Sequence, residues 1–75
     1  MKINTINVVE TVENTVTHIH TFMEITAEKE AMETMAKCIR EDNPNIKDED
    51  VESCVEDGEY QNETYTVSII RSVTT

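Results

Sequence analysis

Tryptophan is absent from this 75-residue chain, glycine and proline occur once each, and the only aromatic rings besides histidine are Phe22, Tyr60 and Tyr65. A core must therefore be aliphatic, drawn from Ile, Val and Met. A chain this short buries only about 60% of the surface its unfolded form exposes, which predicts one domain of modest stability with no deep cleft between lobes. Two cysteines, Cys38 and Cys54, are too few for the disulfide framework of a small secreted domain. The opening residues, MKINTINVVE, hold no apolar run of signal-peptide length, and no stretch approaches the roughly 20 apolar residues of a membrane span. These absences predict a soluble cytoplasmic protein, in which the sequon Asn62-Glu63-Thr64 is a chance match.

Positive charge is the other scarcity. Six Lys and Arg face sixteen Asp and Glu, a net charge of −10. That balance excludes ordinary nucleic-acid binding, which needs cations against phosphates, and adhesion to anionic membranes. A partner chosen by electrostatics should be basic. The imbalance is local. Residues 41–63, EDNPNIKDEDVESCVEDGEYQNE, hold ten acids (Glu41, Asp42, Asp48, Glu49, Asp50, Glu52, Glu56, Asp57, Glu59 and Glu63) against one base, Lys47. In the remainder, six acids face five bases.

Periodicity supplies the elements. Residues 2–25 are rich in Val, Ile and Thr without Gly or Pro, which is strand chemistry. Ile6, Val8 and Val12 share one parity, broken by Glu10; Ile19, Met23 and Ile25 share another with Thr15, Thr17 and Thr21. Glu13-Asn14 between them suits a hairpin turn, because Asn tolerates positive φ; one long bent strand is the alternative. Thr26 is a candidate N-cap, and Ala31, Met32, Met35, Ala36, Cys38 and Ile39 form the stripe of a helix from Ala27 to about Asp42. Asn43-Pro44-Asn45 stops it. Asp48 can cap a second helix over 49–57, with the narrow stripe Val51, Cys54 and Val55 and with Gly58 as its terminator; a strand fits less well, since those three do not keep one parity. Residues 64–73 alternate Tyr65, Val67, Ile69 and Val73 on one face, with Arg71 out of pattern, and predict a last strand. The expected architecture is α+β, a two-layer β-β-α-α-β domain with a three-stranded antiparallel sheet and both helices on one face. Which face they cover is left open by the pattern.

The acidic stretch is the leading candidate site. Asp48, Glu52 and Glu56 stack at i,i+4 spacing, about 6 Å apart along a helix. Asp48, Glu49 and Asp50 suit a helix N-terminus, and a solvated face explains that part. Glu56, Asp57 and Glu59, like Glu41-Asp42, fall at helix C-terminal ends, where the dipole disfavours a negative charge by about 0.3–1 kcal/mol. Acids kept where they oppose folding point to binding. The remaining candidates are weaker. His18-x-His20 puts two rings on one strand face, a spacing some zinc sites use, but two ligands are not a site, and Glu24 or a cysteine would have to join them. Cys38 and Cys54 read as small core hydrophobes. Asp48-x-Asp50-x-Glu52 followed by Glu59 departs from a calcium loop at Ser53, where that loop needs Gly. No nucleophile has a legible partner, so neither an enzyme nor a metal or other cofactor is expected.

In chain length, a pI near 4.4 and the acid-dense segment DEDVESCVEDGE beside Glu41-Asp42, the chain resembles the small acidic DNA-mimic proteins of bacteriophages, in particular inhibitors of the bacterial histone-like protein HU. The resemblance is one of character and covers about a third of the chain. It implies a non-enzymatic protein, acting in the cytoplasm of a bacterial host, that occupies a basic DNA-binding surface and blocks DNA. A small assembly component, a homodimer joined through an exposed strand such as 65–70, and an antitoxin-like partner of one basic protein are the alternatives.

Overall fold

A computed structural model describes residues 3–74. Two strands open the fold, β1 (Ile3–Val12) and β2 (Thr15–Met23), followed by helices α1 (Ala27–Asp42) and α2 (Asp48–Asp57). Strands β3 (Glu59–Asn62) and β4 (Tyr65–Thr74) close it. The sheet is antiparallel throughout, in the order β2-β1-β4-β3. The α+β class agrees with the sequence, but the sheet has four strands, not three. The extra one is β3, whose four residues include a single apolar side chain, Tyr60, and so leave no alternation to read.

The hairpin turn falls at Glu13-Asn14, with φ of 51° and 64°. Two successive positive φ values give the turn whose twist matches paired strands, and Asn14 makes it tolerable. The second hairpin turns through Glu63, also at positive φ, and the Glu13 N–H donates to the Thr64 carbonyl at 3.0 Å, so both turns meet at one end of the sheet. Helix α1 follows Thr26 as expected, although the Thr26 side chain makes no capping hydrogen bond. Helix α2 begins one residue early: Lys47 is its cap and Asp48 its first helical residue.

Both helices lie over one face of the sheet. Ala27, Ala31, Met35, Cys38 and Ile39 of α1 pack with Val51 and Val55 of α2 on Ile6, Val8, Tyr60 and Val67. Cross-strand register settles which face is covered. Ile6 and Val8 stand opposite Phe22 and His20 on β2 and opposite Arg71 and Ile69 on β4, so these residues share the covered side. Arg71, out of pattern in the sequence, reaches the first turn of α1 and pairs with Glu28. The other parity of β2, which holds the more apolar side chains, is turned outward: Ile19 is 61% exposed and Met23 50%, beside Ile70 at 52% on β4. Ile25 lies beyond the strand and is fully exposed. No helix among the described residues is long and apolar enough to cross a membrane.

Gly58 ends α2 in the left-handed conformation, φ 80°, and its N–H donates to the carbonyls of Cys54 and Val55. Its own carbonyl accepts from the Ile69 N–H at 2.9 Å, which fixes the direction of β3. A Cβ at this position would meet nothing within 4 Å, so any effect of substitution is backbone strain alone. Gly58→Ala is expected to lower unfolding stability by about 1–2 kcal/mol, and Gly58→Asn by less, in urea titrations followed by circular dichroism.

Candidate functional site

Six of the ten acids in the acidic stretch lie on α2, and all six side chains are exposed. Val51 and Val55 take the inner side of the helix, and Cys54 is partly buried beside them. Asp48, Glu52 and Glu56 run along the flank nearest α1, while Asp50 and Asp57 flank Cys54 on the other side. Burial, and after it the charges of Asp57 and Asp50, pushes the Cys54 thiol above its ordinary value, so it is a poor nucleophile. No basic residue stands in the last turn of α2, so Glu56 and Asp57 face the helix dipole unrelieved.

Between α1 and α2 the row borders a groove of about 380 Å³. Its floor is apolar (Met32, Ala36, Val51 and Val55), and its rim carries Glu33, Glu52, Glu56 and Arg40. Arg40 also reaches Asp48 at 3.2 Å, an exposed pair worth little energetically that leaves one end of the row neutralised. Neither Glu33 nor the groove stands out in the sequence. The i,i+4 relation of Met32 and Ala36 was legible there, but it reads as core and not as the wall of an open channel.

The other four acids do not join this face. Asp42 accepts hydrogen bonds from the Tyr60 hydroxyl and the Asn62 amide, both at 2.9 Å, and so ties the end of α1 to β3. Glu41 turns to the opposite flank of α1, where it lines a second cavity beside β2. Glu59 alternates away from buried Tyr60 onto the uncovered face of the sheet. Glu63 sits in the β3–β4 turn. The charge-dense stretch thus spreads six carboxylates around the exposed circumference of α2, three of them in the row beside Glu33, with four outliers.

Family models, curated proteins and solved structures yield no match to this chain. Function therefore rests on the geometry of the molecule itself.

That second cavity, about 410 Å³, contains the histidine pair. Neither Glu24 nor Cys54 accompanies it; Glu10 and Cys38 do. Glu10 occupies a core-facing position of β1, opposite His18, with a side chain only 16% exposed. His20 Nε2 donates to Glu10 Oε2 at 2.7 Å and the Tyr65 hydroxyl to Oε1 at 2.8 Å. Burial pushes the Glu10 carboxyl up, but these two hydrogen bonds outweigh it and hold the group below its ordinary range. Burial, followed by the nearby charge of Glu10, pushes the Cys38 thiol up to about 11.

Burial and then the hydrogen bond to Asp42 likewise push the Tyr60 hydroxyl up, to about 12 from an ordinary 10. The neutral phenol is thus favoured in the folded chain. Its contribution is complete below pH 10 and is lost as pH climbs through 12. Tyr65 is raised too, first by burial and then by its bond to Glu10. Urea midpoints should therefore fall steadily above pH 10, and Tyr60→Phe should make that fall shallower without abolishing it, while costing about 1 kcal/mol at neutral pH for the lost hydrogen bond.

Proposed function

We propose that this chain is a non-enzymatic acidic binding protein whose α2 face docks on the basic DNA-binding surface of a nucleic-acid-binding protein and keeps DNA off it. The observation that carries this reading is the union of a carboxylate row with an apolar channel on one rigid element. Ten helical residues span about 15 Å, a length over which duplex DNA presents about nine phosphates. Beside the groove, Asp48, Glu52, Glu56 and Glu33 supply about half that density, and the other three acids of α2 add to it from the rest of the exposed circumference. Charge would steer the encounter, and a side chain entering between Met32, Ala36, Val51 and Val55 would supply the desolvated centre that charge alone lacks. The partner that fits presents an apolar residue ringed by Lys or Arg. A histone-like protein such as HU, as the resemblance implies, is the first to test.

Binding to HU should weaken steeply as salt rises and should be competed by duplex DNA. The triple variant Glu52→Gln, Glu56→Gln, Asp57→Asn should bind about tenfold more weakly or worse at low salt. Its urea midpoint should be equal or higher, because two of the three charges oppose the helix dipole. Unchanged affinity in a folded triple variant would reduce the row to a solvated face.

One observation favours a second reading, self-assembly. The uncovered sheet face carries Val9, Ile19, Ile70 and Met23 among Thr, Ser and Asn, with Glu59 as its charged residue. Two such faces could meet without bringing the net charges of two chains into contact. The strand expected to join such a dimer, 65–70, offers less: β1 and β3 already pair with both edges of Tyr65–Ser68. On this reading, sedimentation should show a salt-insensitive dimer that Ile19→Lys and Ile70→Lys each convert to monomer. A monomer at high concentration removes it.

A further inference from the structure

Glu10 stands where the β1 pattern demands an apolar residue. It follows Ile6 and Val8 on the covered face and lies at the edge of the core, where the partner strand contributes His18 and His20. Three donors converge there from three elements: a Glu10 carboxylate oxygen, His20 Nε2 and Cys38 Sγ all lie within 4.8 Å of one another. His18 Nδ1 stands 3.8 Å from the same Glu10 oxygen, and the two imidazoles lie nearly parallel with centroids 6.1 Å apart. The β1–β2 ladder shifts register just beyond Glu10, so that Thr11 pairs with Val16 and Thr17 is the extra residue. Such bulges recur beside functional sites because they re-aim neighbouring side chains.

The geometry points to a Zn²⁺ site formed by Glu10, His18, His20 and Cys38, clamping α1 to the β1–β2 hairpin. Two neutral imidazoles, one thiolate and one carboxylate suit a tetrahedral borderline ion and would neutralise its charge. Bonds of about 2.0–2.3 Å place tetrahedral donors about 3.3–3.8 Å apart. The His20–Glu10 contact would open by about 0.6 Å to reach that spacing, and the sulfur, about 3.5 Å from a nitrogen or oxygen donor in such a site, would close by up to about 1.3 Å. Two protons must leave their present positions. The Cys38 thiol loses its proton to solvent, and His20 moves its proton from Nε2 to Nδ1 so that Nε2 can ligate. The Tyr65 hydroxyl, already donating to the other Glu10 oxygen, would orient the carboxylate from outside the ligand set. Among the described residues no other such group converges as closely. This inference is independent of the α2 reading, since none of the four ligands lies on that face.

Titration of the full chain with Co²⁺, then Zn²⁺, tests it. A thiolate ligand adds a sulfur-to-cobalt charge-transfer band, and a tetrahedral site gives intense visible d–d bands. Both should appear at one ion per chain and be quenched by Zn²⁺, which should also raise the melting temperature until a chelator removes it. Cys38→Ser should abolish the charge-transfer band, His20→Ala should lower affinity about tenfold or more, and Cys54→Ser should change neither. No charge-transfer band in the unaltered chain overturns the proposal. So does Zn²⁺ uptake that survives both Cys38→Ser and His20→Ala, which would be capture by surface carboxylates. Should buried Cys38→Ser fail to fold, His18→Ala decides from its exposed position: weaker binding with altered d–d bands supports the site, and an unchanged titration rejects it.

Discussion

Helix α1 lying across β1 and β4 is the contact from which everything else follows. Met35 and Ile39 are fully buried against Val8 and Val67, and they hold the sheet's one covered face. With no tryptophan and a single phenylalanine at the margin, this aliphatic contact has few substitutes. Truncating either Met35 or Ile39 would open a cavity that a domain of this size could not readily absorb. The second helix adds only Val51 and Val55 to the core, so its position derives from α1 and is not set independently.

That subordinate attachment explains why α2 can carry the charge. A ten-residue helix that buries two valines exposes most of its circumference, and there six carboxylates are solvated one by one. The arrangement is tolerable but not optimal. Three of the acids suit the N-terminal turn, while Glu56 and Asp57 stand at the end where the dipole repels them and no cation intervenes. Fixing such charges on a regular element holds them at set intervals, which a disordered acidic tail would not do.

Much of this was legible in the sequence where two kinds of signal agreed. Asn14 and the strand chemistry around it marked the hairpin; the spacing of Ala31, Met35 and Ile39 marked α1; Gly58 marked the end of α2. Where signals conflicted, tertiary structure chose. On β2 the apolar parity was Ile19 with Met23, yet the helices cover His20 and Phe22, because β1 commits Ile6 and Val8 to the core and pairing carries their partners along; His18 shares that side but stays exposed at its margin. Strand β3 was illegible, since Glu-Tyr-Gln-Asn acquires its conformation from β4 and from Asp42 binding Tyr60 and Asn62. For the same reason ten acids in one stretch of chain did not become one surface. Asp42 was occupied by that tie, and strand alternation carried Glu59 to the far side of the sheet.

The polar cluster at Glu10 shows a related economy at the other margin of α1. A small sheet cannot close its core at every corner, and here the corner is filled by a carboxylate held by Tyr65 and His20 above Cys38. Hydrogen bonds alone satisfy it, as no buried side-chain polar atom among the described residues lacks a partner. Yet a core-facing position opposite His18 and diagonal to His20 is an unusual place for an acid when valine would pack there without desolvating a charge. The same helix presents Ala36 and Arg40 to the groove on its other flank, each about half a turn from Cys38. Any ion that drew Cys38 toward the hairpin would therefore act on the wall of that groove through a rigid element, not through solvent. The groove and the polar cluster share no residue, but they share a helix, and that is the physical route by which a ligand in one would act on the other.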